Sequence, residues 1–578
     1  MNPDQTIQTD VLIVGGGSAA LRAAIAAADA GANVVVALKG QTGKSGASVS
    51  RGSPAVAWQC ADGCSGDGDS PEVHYQNILS TGLGLADPRL ARIQAYEIAE
   101  RTAELEEWGV GFVADPSGKN RHFSAHSCFA SHPRAHSVRD SGYGHAGDIV
   151  HAMVDQARLR SIDVHENVFI TDFLVQDRVC VGAMALDKSG SLMVYRFGAV
   201  VLGAGGARQI FPPTGKHRID TTGDGYAIAL RAGAELTNME FIQYMMRPQD
   251  FKPSDIPGMY WAAFPKLRNR FGEEVLPRYL PQGVTPEQAM YDRCLHMPFS
   301  TRDASGWIDI AVVTEENEGR GVPNGGLSLD FSDADIENFK PEIQHHFHEE
   351  FNRKAVRPAS SARVVATAHA SNGGILINEQ AESSLPGLFA AGEVCTGPHG
   401  ADRLGGGMVS MGIVFGARAG QFAGERALLV GRPDLKESTL DVATEQLHVK
   451  RDGKDDAEGL FGKLQEAMGR NFLVVKNANG LRHLVERIEE LRTECLTELD
   501  RNSPLTRRRA IEAENSLLVS ELMVQAALVR EESRGNHFRD DYPQQDERNW
   551  RKNIIHQFDD GKLRLTTRAL ENITSDTT

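Results

Sequence analysis

The sequence predicts an α/β protein that opens on a dinucleotide-binding unit and finishes in a helical region, and three observations carry this. An apolar run of strand length, Asp10-Val-Leu-Ile-Val14, ends directly in Gly15-Gly-Gly17-Ser-Ala-Ala20. The segment after it, Leu21-Arg-Ala-Ala-Ile-Ala-Ala-Ala28, is strongly helix-forming and leads through Gly31 into a second apolar strand, Ala32-Asn-Val-Val-Val36. Residues 457–535 keep a helical period with little Gly or Pro, whereas 248–325 mix Pro, Gly and short apolar runs.

The first two observations make a βαβ unit with the GxGxxA spacing. Gly15 permits the tight turn, Gly17 lets the backbone approach a pyrophosphate, and Ala20 keeps helix and strand close. The helix start at Ser18 and Ala19 then offers free N–H groups and the positive end of a dipole to phosphate. An acidic residue that would bind an adenosine ribose is missing where the second strand ends, since the chain reads Ala37-Leu38-Lys39. Lys39-Gly-Gln-Thr-Gly43-Lys-Ser45-Gly46 continues as a Gly/Ser loop better suited to the phosphates and ribitol of a flavin than to NAD, with Lys39, Ser45 and Gly46 as candidate contacts.

Length and composition set the remaining limits. A chain of 578 residues implies about three domains. Hydrophobic residues at 41% and charged residues at 24% are ordinary globular values. A net charge of −16 argues against nucleic acid or an anionic membrane as the main partner, yet a local Arg cluster can still bind a small anion. No run of about 18 apolar residues is present, so no membrane span is expected, and any membrane association would be peripheral, through a partner. The Val11–Leu38 region, broken by Gly, Arg22 and Asp29 and preceded by Asp4 and Asp10, reads as fold and not as a signal peptide. The 7 Cys are scattered, which points to a reducing, cytoplasmic setting. Cys60 and Cys64 form a lone CxxxC, and the six His between His122 and His151 lack metal-site spacing, so no metal is expected. The run His345-His-Phe-His-Glu-Glu350 reads as a solvated helix face.

Distant segments resemble one family, in order. After Gly198-Ala-Val-Val-Leu202 come Gly203-Ala-Gly-Gly206 and Thr222-Gly-Asp-Gly225; then Gly387-Leu-Phe-Ala-Ala-Gly-Glu393, His399-Gly-Ala-Asp-Arg-Leu-Gly-Gly406, Glu532-Ser-Arg-Gly-Asn-His537 with Asp541-Tyr-Pro543, and Glu547-Arg-Asn-Trp550. These resemble the flavoprotein subunits of the succinate dehydrogenase and fumarate reductase family, over residues of about 10 to 550. The resemblance implies a split, Rossmann-like FAD-binding domain (1–239 and 360–432), an inserted α+β capping domain (240–359), and a C-terminal helical domain and tail (437–578). It also implies that Asp224 and Glu393 contact FAD, with Met408 and Val409 beside the flavin.

The same resemblance proposes the chemistry. Arg302, in Thr301-Arg302-Asp303, matches the capping-domain proton donor, and Asp303 would orient it and relay the proton. Arg403 would hold a carboxylate through two parallel charge-assisted bonds. His369, in Thr367-Ala-His-Ala-Ser-Asn-Gly-Gly374, matches a substrate-binding His, and His399 and Arg247 complete the expected substrate set. The expected activity interconverts a saturated and an unsaturated carboxylic acid, with a small anionic carboxylate substrate and electrons passed to an iron–sulfur or other electron-transfer protein. The alternatives are a stand-alone oxidase of the L-aspartate oxidase type, or a catalytic subunit like that of adenylylsulfate reductase.

Two departures from the family pattern sharpen these expectations. Covalently flavinylated members carry a His in the loop aligned with residues 44–52, and this sequence has no His from 1 to 73, so FAD is expected to be noncovalent. Dicarboxylate-specific members also place a His where Met245 stands, and a Thr-Glu pair where Pro257-Gly258 stand. That disfavours plain succinate or fumarate and favours a related acid, with Arg247 as a relocated cation.

Overall fold

The protein is described by a computed structural model covering residues 4–49, 57–122, 124–125, 128–139, 141, 145–212, 220–249, 261, 263–333, 361–440, 453–559 and 561–570. Pro257-Gly258 and the His345–Glu350 run lie outside these residues.

The predicted βαβ unit is the centre of a five-stranded parallel sheet, in the order Leu388–Ala390, Ala199–Leu202, Val11–Val14, Val34–Leu38, Asp163–Glu166. Its inner strands are short and wholly apolar because helices and a second sheet cover both faces. The strand beside the first is contributed by residues some 190 further on, so the nucleotide-binding layer is assembled from separated stretches of chain. Gly15, at φ +117°, sits at the end of its strand, and a Cβ there would stand 2.4 Å from the Gly203 carbonyl oxygen. Only glycine permits both the conformation and that approach.

The helix Ser18–Asp29 packs along the helix Gly407–Val430. Gly412, Gly416, Gly420 and Gly424 form a stripe on the second helix, and Ala19, Ala23 and Ala27 face it from the first. Small residues on both sides bring the two backbones together, which fixes the N-terminus of one helix relative to the other.

A second layer is the antiparallel sheet Ile242–Pro248, Ser361–Ser371, Leu327–Asp330, Lys266–Arg268, packed with the helices Pro286–Leu295 and Gly306–Asn317. It corresponds to the inserted α+β capping domain, with one strand, Ser361–Ser371, supplied by the chain as it returns to the stretch expected in the FAD-binding domain. Beyond it, helices Ala457–Asn471, Ala478–Glu498 and Pro504–Val529 form the C-terminal helical domain. The last of these is buried on nearly every side, which is why its sequence shows no clear apolar stripe.

The C-terminal end departs from the all-helical expectation. Lys552–Asp559 and Lys562–Ala569 form an antiparallel hairpin, and its first strand pairs with Leu236–Thr237 of the FAD-binding domain. The alternation of Ile554, His556 and Phe558 with their neighbours, followed by a turn at Gly561, is the local cause.

Candidate active site

Three helix N-termini converge at the carboxyl edge of the parallel sheet. Helices Ser18–Asp29, Asp224–Arg231 and Gly407–Val430 begin after Gly17, Gly223 and Gly406, which have no side chain to cap them, and only the Ser18 amide meets a side chain there, Ser48 Oγ at 3.3 Å. Uncapped donors at a helix start form a natural anion site. Met408 and Val409, in the first turn of the third helix, are half-buried there. Glycine-lined loops and open helix starts of this kind fit the phosphates of a dinucleotide.

The loop after the second strand is held from several sides. The Lys39 ammonium donates to Asp224 Oδ2 at 2.7 Å and to Thr222 Oγ1 at 2.6 Å, and lies 3.4 Å from Glu512 of the C-terminal domain. Asn515 donates to Asp224 Oδ1 at 2.8 Å. Burial favours the neutral form of Glu512, but Lys39, Arg508 and Arg509 outweigh it and hold the carboxyl below its usual range. The Ser45 hydroxyl is spent on its own loop, bonded to the Gln41 amide and carbonyl at 3.0 and 2.9 Å. Gly46, at φ +89°, has open space beside it.

The opposite side of the site is a cluster of cations around His369. This residue lies in the strand Ser361–Ser371 at a β-bulge: Gln243 pairs with Ala370 and Tyr244 with Ala368, leaving His369 as the extra residue. The bulge turns its imidazole out of the regular alternation. Burial and the guanidiniums of Arg403, Arg247 and Arg208 together push its pKa well below the ordinary value, so it is neutral. Arg403 is buried; its Nη2 donates to Gln243 Oε1 and its Nη1 to the Leu404 carbonyl at 3.2 Å, while its Nε has no partner among the described residues. His399 is buried beside it, and burial followed by the Arg403 charge keeps it neutral too. Glu393 accepts from the Ser371 amide at 3.0 Å, and burial holds its carboxyl above the usual range.

Asp402 anchors the loop that carries Arg403. Its carboxyl accepts from Ser300 Oγ at 2.7 Å, from the Arg403 amide at 2.8 Å and from Asn536 Nδ2 at 3.1 Å. Those three donors come from the capping domain, the FAD-binding domain and the C-terminal region. Gly535 approaches so closely that a Cβ on it would stand 2.3 Å from the Ala401 carbonyl oxygen, and its φ of +56° also demands glycine. The two sequence motifs around Arg403 and Gly535 are therefore one interlocked structure.

Comparison with known proteins agrees with this architecture. The FAD binding domain family matches residues 10–409, and the fumarate reductase flavoprotein C-terminal family matches residues 462–576. The chain belongs to the succinate dehydrogenase/fumarate reductase flavoprotein family. It is 32% identical to a component of the fumarate reductase (CoM/CoB) of Methanothermobacter marburgensis over 562 residues, covering 95% of this chain and 97% of that protein. An L-aspartate oxidase of Streptomyces coelicolor is 27% identical over 572 residues, covering 96% and 92%. Among solved structures, Mycobacterium smegmatis Sdh1 in complex with UQ1 matches with a TM-score of 0.81 and 28% identity, covering 98% of this chain and 95% of that one.

As a member of this flavoprotein family the protein is an FAD-dependent oxidoreductase, and no helix among the described residues is long and apolar enough to cross a membrane. The structure brings His369, Arg403, His399 and Arg247 together, and sets Glu393 among them. It treats Arg302 and Asp303 differently from the expectation. Arg302 is exposed, its guanidinium stacked 4.6 Å over the Phe129 ring, and makes no hydrogen bond with its side chain among the described residues. Asp303 does not orient it. Its carboxylate turns back to accept from the Ser305 amide at 3.0 Å, closing a turn at a helix start, and pairs with His296 Nε2 at 2.8 Å. Although burial favours the neutral acid, His296 and Ser305 outweigh it and hold Asp303 well below the carboxylate range. Lys39 and Asp224, expected as two separate cofactor contacts, are bonded to one another.

Three residues of the site were missed by sequence reasoning. Gln243 holds Arg403, His296 holds Asp303, and Arg208 contributes to the field at His369 and Glu393. Arg208 alone had a usable signal, since it follows closely on Gly203-Ala-Gly-Gly206.

Proposed function

We propose that the protein is the FAD-carrying catalytic subunit of a reductase or dehydrogenase that interconverts a saturated and an unsaturated carboxylic acid and exchanges electrons with a separate iron–sulfur or other redox protein. The observation that carries this reading is the gathering of Arg403, Arg247 and Arg208 around a neutral His369. Bound FAD supplies the hydride acceptor or donor.

Gly15, Gly17, Ser18 and Ala19 would hold its pyrophosphate at the open helix start, with Lys39, Asp224, Ser45 and Gly46 around the remainder. Glu393, Met408 and Val409 would lie near its ring end. No His occurs in the loop where covalent members of the family carry one, which supports noncovalent attachment. Acid precipitation checks this: the yellow colour should pass into the supernatant, and colour kept in the pellet would refute it.

Arg403 is the primary carboxylate clamp. A fork of two charge-assisted bonds sets the substrate's angle as well as its affinity, in a site dry enough for the interaction to be strong. His369, being neutral, can donate one N–H and accept at its other nitrogen. Met245 leaves no donor where dicarboxylate-specific relatives have a His, but Arg247 lies two residues on in the same strand and so on the same face. A second anionic or polar group held by Arg247 would sit at a different place from that of succinate. Arg302 is the proton donor in this reading. Its exposure lets solvent restore the proton after each turnover, and Asp303 acts indirectly by fixing the turn through His296.

Anaerobic assays with reduced viologen against fumarate and substituted unsaturated acids test the substrate class. Turnover with at least one, abolished in Arg403→Ala, supports it, and no turnover with any would sink it. Stopped-flow reoxidation of the substrate-reduced protein in air-saturated buffer tests the electron route. Reoxidation as fast as turnover would establish an oxidase of the L-aspartate oxidase type instead.

A further inference from the structure

The sequence held Cys60, Cys64 and the run of histidines to be unrelated, because their spacings match no metal motif. The fold changes that relation. Strand Ala57–Gln59 pairs with Ala135–Ser137, which pairs in turn with Ser124–Ala125. This small sheet places the loop 60–64, His122 and His136 at one edge, drawn from three separated stretches of chain. Cys60, Asp62 and His136 offer ligand atoms within 4.8 Å of one another, and so do Asp62, Cys64 and His122. Asp62 belongs to both groups: one of its oxygens lies 2.9 Å from His122 Nδ1 and the other 3.1 Å from His136 Nε2.

Both imidazoles are buried and stand together, ring centroids 4.8 Å apart, with Phe112 5.1 Å from His122 as an apolar wall. The far nitrogen of His122 is bonded to Glu106 at 2.9 Å. That is the carboxylate–histidine arrangement that fixes the tautomer and orientation of a metal-bound imidazole. Thiolate, imidazole and carboxylate in one pocket are the donor set of zinc, with ligand atoms separated by roughly 3.3–3.8 Å in a tetrahedral site. Each group of three already lies within 4.8 Å, and Asp62, held by both imidazoles, is the carboxylate about which they would close on one ion.

We propose that Cys64, His122, His136 and Asp62 form a binding site for a zinc-class divalent cation, with Glu106 orienting His122 from behind. The site is structural. The sheet it would brace also carries Gln59, whose amide donates to the Gly405 carbonyl at 2.8 Å, two residues from Arg403. The cation therefore clamps the outer support of the substrate loop without touching substrate.

The test uses the full-length, FAD-loaded protein. Metal analysis after growth with zinc should find about one ion per chain, and zinc removed by a chelator should rebind with submicromolar affinity in competition with an indicator dye. Cobalt in its place should give thiolate-to-metal charge-transfer absorption, lost in Cys64→Ser. His122→Ala should abolish tight binding, and the milder Glu106→Gln, which keeps every ligand, should weaken it by ~10–100-fold. FAD content and circular dichroism confirm that each variant is folded. Wild-type protein without tight zinc binding, or equal affinity in folded Cys64→Ser and Glu106→Gln, would overturn the proposal.

Discussion

The nucleotide-binding end of the molecule and its C-terminal helical domain begin their helices in opposite ways. Helices starting at Ala457, Ala478 and Pro504 are each closed by a side chain: Asp456 accepts from two amides, Asn477 from the Gly480 amide, and Ser503 makes a reciprocal capping box with Thr506. Helices starting at Ser18, Asp224 and Gly407 follow bare glycines. The buried arginines of the C-terminal region contrast with Arg403 in the same way. Arg530, Arg534 and Arg539 each meet a carboxylate, with Glu240 and Glu532, Glu532 and Glu547, and Asp541 as partners. Arg403 meets an amide oxygen and a carbonyl and no carboxylate among the described residues. One region closes its helix starts and pairs its buried guanidiniums with carboxylates; the site leaves donors and charge waiting for a cofactor and an anion.

If that contrast is functional, the two sets of arginines should fail differently. Arg403→Ala and Arg302→Ala should keep FAD and fold while turnover drops by ~10²–10⁴-fold, the usual contribution of a positioned acid or clamp. Arg403→Ala should raise KM as well, and Arg302→Ala should act mainly on kcat. Near wild-type turnover in either variant would remove that residue from the site. Arg534→Met should do the reverse, losing about 3 kcal/mol of stability because the buried Glu532 keeps only Arg530 as a cationic partner. Denaturant unfolding measures that loss, and a fully stable variant would break the comparison.

Lys476 gives a pH-dependent version of the same test. Burial, with Arg539 nearby, pushes its ammonium down to about 7, although it donates to the Val474 carbonyl at 3.1 Å and stacks near Tyr244 and Phe472. The unfolded chain titrates near 10.4, so between these values the unfolded state holds the extra proton and stability rises with pH. Lys476→Met should therefore stabilise the fold most below pH 7, with the gain shrinking as pH approaches 10. A gain that grows with pH would contradict the assignment. The smallest effect is expected from Ser503→Ala, about 1 kcal/mol in thermal or denaturant unfolding, with no change in FAD content.

Much of the frame was legible before the structure. The GxGxxA spacing located the open helix start, and the match around Arg403 located the buried arginine proposed as the carboxylate clamp. What was not legible depends on which strands lie side by side. The bulge that turns His369 toward three arginines is a fault in strand register, and register is set by distant pairing, not by local pattern. Lys39 replaced an expected acid, but its partners Asp224 and Glu512 lie 185 and 473 residues away. Asp303 was assigned to its chain neighbour Arg302, whereas its short side chain instead accepts from the Ser305 amide two residues on and reaches across to His296. The C-terminal hairpin was readable from its alternation and was passed over because the helical period before it is so strong. Charges along the C-terminal helices pair with each other, as Lys463 with Glu494 and Arg501 with Glu514 do, and so serve the fold.

The central claim is that the cations around His369 bind a carboxylate beside the flavin. Titrating the oxidised, FAD-loaded protein with a saturated, unreactive carboxylic acid while recording flavin absorbance tests it most directly. The account predicts a saturable perturbation of the flavin spectrum in the wild type and a Kd at least ~10-fold higher in Arg403→Met, a loss of about 1.4 kcal/mol or more. Equal affinities in the two proteins would contradict it.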